Sequence, residues 1–99
     1  MQEKHEHIQL VISSLKPGAS YERFVELTKE MYEWLQLQNG FVSYEVYENH
    51  PKWADKLVYE NIECAERINQ DFLTTEIAKE MLDMVEPAYK IFTGKSLSL

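Results

Sequence analysis

Three side chains that can exchange protons, Glu45, Glu60 and Lys90, fall in segments with the alternating pattern of β-strands. Such a side chain can titrate in a cavity between a sheet and its helices, where its pKa is perturbed. The alternative is that strand carboxylates reach solvent or pair with the neighbouring strand. We select Glu60 as the candidate general base, with His50 as another possible proton acceptor.

Metal and thiol chemistry have less support in the sequence. His5 and His7 are separated by one residue and can point the same way on a strand, but two ligands near a terminus make a weak metal site. The lone Cys64 lies in a helical pattern, where a small buried apolar role is expected. We therefore predict neither a metal nor another cofactor.

The order of hydrophobic patterns predicts the elements that position these residues. Period-two patterns predict strands over residues 7–15, 41–48, 53–61 and 88–93, the last ended by Gly94. Ser20 and Asn61 are expected to cap two helical regions, the first ending at Asn39-Gly40 and the second broken near 71–74. The order predicts an α+β, ferredoxin-like βαββαβ fold with an antiparallel four-stranded sheet, as one domain over residues 1–99.

The strands carry apolar residues on both faces, since Ile8, Leu10 and Ile12 alternate with Val11. A sheet with helices on one face and water on the other is expected to be more polar at alternate positions. The open face is therefore expected to pack against a second copy, which predicts a homodimer.

Composition excludes two kinds of partner. The net charge of −7 repels phosphate backbones, and Arg23 and Arg67 form no basic cluster, so nucleic acid is not expected. No apolar run approaches the ~20 residues of a membrane span. Residues 1–7 are polar and show no secretory signal, so we expect a cytoplasmic protein.

Three passages resemble the dimeric α+β barrel superfamily, and within it the antibiotic-biosynthesis-monooxygenase-like proteins. They are Pro17-Gly18 before the first helix, Asn39-Gly40-Phe41-Val42-Ser43-Tyr44-Glu45, and Leu57-Val58-Tyr59-Glu60 followed by a helix. The resemblance implies the dimeric barrel fold and a range of activities that includes cofactor-free oxygenation and haem degradation. Haem degradation does not fit, because the chain has no histidine beyond His50 to serve as the iron ligand of such members.

The spacing Asn49-x3-Trp53-x5-Tyr59 is similar to the set used by anthrone-oxidising members of that family. The resemblance implies that a hydrogen-bond donor stabilises the enolate of a deprotonated substrate and that aromatic walls stack on its rings. The alternative is structural: Trp53 covers the hairpin end, Asn49 belongs to the turn, and Tyr59 is part of the strand packing.

Two functions remain from the sequence. One is a cofactor-independent monooxygenase acting on a small aromatic, phenolic or quinol-type compound. The other is a non-catalytic, dimeric small-molecule-binding or stress-related module. Either needs a cavity, which we expect between the helical stripe and the inner face of the sheet. The residues expected to contact the ligand there are Phe24, Leu27, Met31 and Tyr44, with Trp53 and Tyr59 close by.

Overall fold

The computed structural model describes residues 5–99 and contains four strands and three helices. The strands are β1 (His7–Ser14), β2 (Phe41–Asn49), β3 (Lys52–Tyr59) and β4 (Lys90–Lys95). The helices are α1 (Tyr21–Gln36), α2 (Ile62–Phe72) and α3 (Glu76–Met84). The predicted break in the second helical region is confirmed, because α2 and α3 are separate helices.

The strands form one antiparallel sheet in the order β2-β3-β1-β4. With the helices, this is the ferredoxin-like α+β fold predicted from the sequence. Val11 of β1 lies opposite Asp55 of β3 on one side and opposite Ile91 of β4 on the other. Since side chains alternate between faces along a strand, every second residue of β3 points to the helices. These residues are Trp53, Asp55, Leu57 and Tyr59.

Each helix begins at a side chain that accepts a hydrogen bond from the first turn. Ser20 Oγ accepts from the Arg23 amide at 3.1 Å, and Asn61 Oδ1 accepts from the Cys64 amide at 2.8 Å. Thr75 Oγ1 plays the same part for α3. Such caps satisfy amide groups that have no partner within the helix, so short polar residues fix where the helices start.

Several element ends differ from the prediction, including β3, which ends at Tyr59 instead of residue 61. Helix α1 ends at Gln36 with Leu37 as its C-cap, because the amides of Leu37 and Gln38 already bond back to Trp34 and Leu35. Gly40 instead lies just before β2 with φ +91°. Strand β4 begins two residues later than predicted and continues through Gly94, which pairs with Ile8 instead of ending the strand.

Helix α1 is joined to α3 by an exposed group of charges. Arg23 Nε and Nη2 donate to the two carboxylate oxygens of Glu80 at 2.6 and 2.8 Å. The same guanidinium also contacts Glu26 and Glu30, and it lowers the pKa of Glu80. These charges lie outside the core. In the core, buried side chains of the helices pack on the inner face of the sheet.

The outer face of the sheet carries large exposed apolar side chains. Ile12, Tyr47 and Phe92 are 51%, 59% and 61% exposed, with Leu10 beside them. No helix among residues 5–99 has both the length and the apolar character needed to cross a membrane. The apolar outer face is the feature on which the predicted homodimer depends.

Candidate functional site

A cavity of about 290 Å³ lies between the three helices and the inner face of the sheet. This volume is at the lower end of the range for small-molecule sites, ~300–1,000 Å³. Its walls are mainly apolar and come from every helix and from three of the four strands. They include Val11, Phe24, Met31, Leu57, Ile68 and Met81. The site therefore has the shape and surface of a pocket for a small apolar molecule.

The cavity opens between the α2–α3 turn, α3 and the edge of the sheet at β4. Four of its lining residues are exposed to solvent and mark this opening: Leu73, Leu82, Tyr89 and Ile91. All four are large and apolar or aromatic. A ligand that enters here meets apolar surface before it reaches the polar groups inside.

One polar group of the cavity is a chain of three side chains that joins α2 to the sheet. Tyr59 Oη donates to Asn69 Oδ1 at 3.2 Å, and Asn69 Nδ2 donates to Gln9 Oε1 at 2.7 Å. All three residues line the cavity. Burial raises the pKa of Tyr59, so its hydroxyl stays protonated at neutral pH and acts as a donor.

The second polar group is the carboxyl of Asp55, on the inner face of β3. Tyr44 Oη donates a hydrogen bond to Asp55 Oδ1. Burial raises the pKa of Asp55 to about 6, opposed in part by that hydrogen bond. The Tyr44 pKa is itself raised, by burial and by the negative charge of Asp55, so Tyr44 remains the donor. The pair thus combines a neutral phenol with a carboxyl that titrates close to neutral pH.

Trp53 lies in the core beside this pair. It is 4% exposed, and its ring packs edge-on against Phe24 with a centroid distance of 4.8 Å. The indole N–H lies near Asp55 and lowers its pKa, but the two groups do not meet hydrogen-bond geometry. Nε1 is therefore buried without a hydrogen-bond partner among residues 5–99. Trp53 supports the cavity wall from behind Phe24 and is not itself part of the lining.

Of the residues predicted from the sequence to form the site, Phe24, Met31 and Tyr59 line the cavity. Leu27 is fully buried but does not line it. Tyr44 reaches the site through its hydrogen bond to Asp55.

The other predicted residues lie away from the cavity. Asn49 and His50 are exposed at the β2–β3 hairpin, where the His50 ring packs edge-on against Tyr21. Glu60 is exposed just after β3, and its amide donates to the Gly40 carbonyl at 2.8 Å. Among residues 5–99 no group of three or more His, Cys, Asp or Glu side chains is placed to hold a metal. His5 and His7 are therefore not part of such a group.

Sequence reasoning did not select Asp55, Gln9 or Asn69. For Asp55 a signal was present, since it alternates with Trp53 and Leu57 and so belongs to the inner face of a predicted strand. Asn69 follows Ile68 on the buried side of α2. Its link to Gln9 joins residues 60 positions apart, which no local pattern reveals.

Comparison with known proteins gives similarity in structure alone. No protein-family model matches the chain, and no curated protein matches its sequence. A point mutant of SnoaB, a cofactor-independent oxygenase from Streptomyces nogalater, superimposes with a TM-score of 0.80 at 11% identity, over 95% of both chains. A candidate antibiotic biosynthesis monooxygenase from Nitrosomonas europaea gives a TM-score of 0.75 at 15% identity, over 98% of this chain and 95% of that one.

A third solved structure, a conserved protein from Methanosarcina mazei Go1, has a TM-score of 0.75 at 14% identity, with 95% of both chains covered. Together these neighbours confirm, at the level of the fold, the resemblance to antibiotic-biosynthesis-monooxygenase-like proteins. At such identities the fold is what the comparison establishes. The chemistry has to be argued from the cavity of this chain.

Proposed function

We propose that this protein is a cofactor-independent monooxygenase that acts on a small aromatic, phenolic or quinol-type compound. The observation that carries the proposal is the apolar cavity between sheet and helices, which combines mainly apolar walls with a few fixed polar groups. A flat ring compound fits such walls, because its faces pack against apolar and aromatic side chains. The oxygenase fold of SnoaB supports the same interpretation.

The proposed reaction passes through an enolate and a peroxide. Removal of a proton from the bound substrate leaves an electron-rich enolate, which gives one electron to dioxygen, and the two radicals combine into a peroxide. Protonation of the peroxide and loss of water then leave a new carbonyl group. One oxygen atom enters the product and the other leaves as water, so substrate and dioxygen balance without another reductant.

The chain Tyr59–Asn69–Gln9 supplies a donor for the enolate oxygen. The Asn69 amide has two N–H bonds, of which Gln9 uses one. We assign the second to the substrate oxygen, where negative charge develops and a preorganised donor has its largest effect. Tyr59 holds Asn69 in place through Oδ1. Phe24 and Met31 are assigned to contact the rings. Roles for Asn49, His50 and Glu60 stay predictions.

The proposed active form is a homodimer whose sheets face each other. Ile12 and Phe92 expose apolar surface on the outer face, and a second copy would bury it. A chain of this length buries only roughly 60–65% of its unfolded surface when it folds alone, so this contact would also add stability. The expected cytoplasmic location stays a prediction.

Oxygen uptake tests the function directly. Purified protein, treated with a chelator, is incubated in air with a panel of anthrones and quinols, and uptake is compared with buffer alone. We expect protein-dependent uptake with at least one neutral ring compound. Binding of the panel without any oxygen consumption would instead identify a small-molecule-binding module.

A further inference from the structure

Asp55 is the one carboxylate among the residues that line the cavity. It lies midway along the inner face of β3, opposite Val11 of β1 and Val46 of β2. The other lining side chains nearby are apolar or neutral. An ionised carboxyl in such surroundings costs free energy unless a cation or several donors compensate it.

Within the cavity lining that the structure describes, no cation compensates Asp55. The other titratable groups around it are phenols: Tyr44 from β2, which contacts Asp55, and Tyr59 and Tyr89, which line the cavity. Glu48 is on the same face of β2 but is held at the hairpin by Tyr21 and the His50 amide.

The helices also present no charge to Asp55 through the lining. From α1 the cavity receives Phe24 and Met31, and from α3 it receives Ala78 and Met81. The Arg23–Glu80 ion pair lies on the exposed side of those helices. β1 and β4 contribute Val11 and Ile91.

The two oxygens of Asp55 differ. Oδ1 accepts the hydrogen bond of Tyr44, which fixes the orientation of the carboxyl group. Oδ2 accepts no hydrogen bond from residues 5–99, although the buried indole N–H of Trp53 lies close enough to the carboxyl to lower its pKa. One oxygen is therefore anchored, while the other keeps its lone pairs for a molecule in the cavity.

We propose that Asp55 is the catalytic base of this cavity and that Tyr44 is its positioning residue. This inference rests on the proposed function and names the residue that starts the reaction. The substrate C–H or O–H bond breaks, a new O–H bond forms on Oδ2, and the electron pair stays on the substrate as the enolate. The negative charge thus passes from Asp55 to the ring system, and the total charge of the cavity is unchanged.

The same arrangement defines the substrate class. A compound that carries a carboxylate or phosphate meets repulsion from Asp55 and no lining cation, so the site favours a neutral ring compound with an acidic C–H or O–H. The raised pKa of Asp55 fits this role, because a base works best when its pKa lies near the working pH. Glu60 and His50, the bases considered from the sequence, do not line the cavity.

The test separates proton removal from oxygenation. Under argon and in D₂O, the exchange of the acidic C–H of anthrone is followed by NMR with wild type, Asp55→Asn, Tyr44→Phe and Asp83→Asn. Asp83 is exposed on α3, so its variant makes the same chemical change away from the cavity. Binding of anthrone is measured in parallel by tryptophan fluorescence.

We expect Asp55→Asn to bind anthrone but to lose exchange by roughly 100-fold or more, the usual contribution of a general base. Asp83→Asn keeps the wild-type rate. The wild-type rate rises with pH as Asp55 ionises. Tyr44→Phe moves this rise to higher pH, because it removes a hydrogen bond that favours the carboxylate.

The outcomes distinguish the two proposals. If Asp55→Asn exchanges anthrone and consumes oxygen as fast as wild type, Asp55 is not the base, although the monooxygenase proposal stands. If wild type binds anthrone without accelerating exchange, the assignment of Asp55 is also wrong. Exchange that depends on Asp55, without oxygen uptake in air, would support the base and reject the monooxygenase.

Discussion

Tyr44 reaches Asp55 along a diagonal of the β2–β3 pair, since Tyr44 lies opposite Leu57 and Asp55 lies opposite Val46. Diagonal neighbours on one face of a sheet are ~7–8 Å apart, a distance that a tyrosine side chain can span. The contact fixes one carboxyl oxygen and leaves the other free of donors from residues 5–99. A pairing of strands thereby determines the chemistry available in the cavity.

The first prediction is that Asp55 destabilises the folded protein at neutral pH. Its pKa is about 6 in the fold and close to 3.8 when unfolded, so the unfolded chain ionises more readily. The contribution of Asp55 to folding stability is therefore highest below pH 4 and falls as the pH rises towards 6. At pH 7.5, Asp55→Asn should raise the free energy of unfolding by about 2–3 kcal/mol.

Urea denaturation at pH 4 and pH 7.5 measures this effect. The gain of Asp55→Asn over wild type should be large at pH 7.5 and small at pH 4. Asp83→Asn, at an exposed position, serves as the control. An Asp55→Asn variant that is less stable than wild type at pH 7.5 would mean that the carboxylate is held by compensating interactions.

The second prediction compares two glycines with a similar, positive φ. Gly18 and Gly40 have φ of +84° and +91°, but a Cβ on Gly18 meets nothing within 4 Å, whereas one on Gly40 lies 2.3 Å from Cys64 Sγ. Gly18→Ala should cost ~1 kcal/mol through backbone strain alone. Gly40→Ala should cost ~1–3 kcal/mol more, because α2 has to move away from β2. Equal midpoints in urea would show that α2 shifts without penalty.

The third prediction concerns the outer face of the sheet. Ile12→Lys replaces an exposed apolar side chain of this face with a charge and should convert the proposed dimer into a monomer, as measured by sedimentation velocity. Leu37→Lys is the matched control, because Leu37 is 82% exposed at the end of α1 and away from that face. A wild-type protein that sediments as a monomer at micromolar concentration would contradict the proposed assembly.

The fourth prediction concerns the donor for the enolate. Tyr59→Phe removes the bond to Asn69 Oδ1 with little change in volume, so Asn69 loses one of its two fixed contacts. A hydrogen bond is worth about 0.5–1.5 kcal/mol, which corresponds to roughly a 2- to 13-fold lower kcat. Steady-state oxygen uptake gives this number, and Leu37→Lys provides the unchanged reference. An unaltered kcat would remove the Tyr59–Asn69 contact from the mechanism.

The fold could be predicted from the sequence because its signals are local. Ser20 and Asn61 cap helices where expected, and the alternation in β2 and β3 agrees with the observed hairpin. The ends of α1 and β4 were missed, because backbone bonds at Leu37 and strand pairing at Gly94 outweigh the local preference of glycine.

The site was harder to predict, since its contacts join distant parts of the chain. Burial raises the pKa of Asp55, while its hydrogen-bond partner Tyr44, 11 residues away, limits that rise, and Asn69 meets Gln9 only in the folded state. The sequence-based candidates Glu60 and His50 lie outside the lining, because Glu60 follows the buried last residue of β3 and His50 lies in the exposed β2–β3 turn. Residue type alone does not reveal which strand carboxylate is covered.

An isotope measurement with ¹⁸O₂ tests the proposed oxygenation most directly. Chelator-treated wild type is incubated with a neutral anthrone or quinol that supports oxygen uptake, and Asp55→Asn is treated in parallel. The products are analysed by mass spectrometry. We expect one ¹⁸O atom per product carbonyl formed, one ¹⁸O atom in water, and little product with the variant. Ligand binding in the cavity with no labelled product from any compound of the panel would contradict the proposed monooxygenase activity.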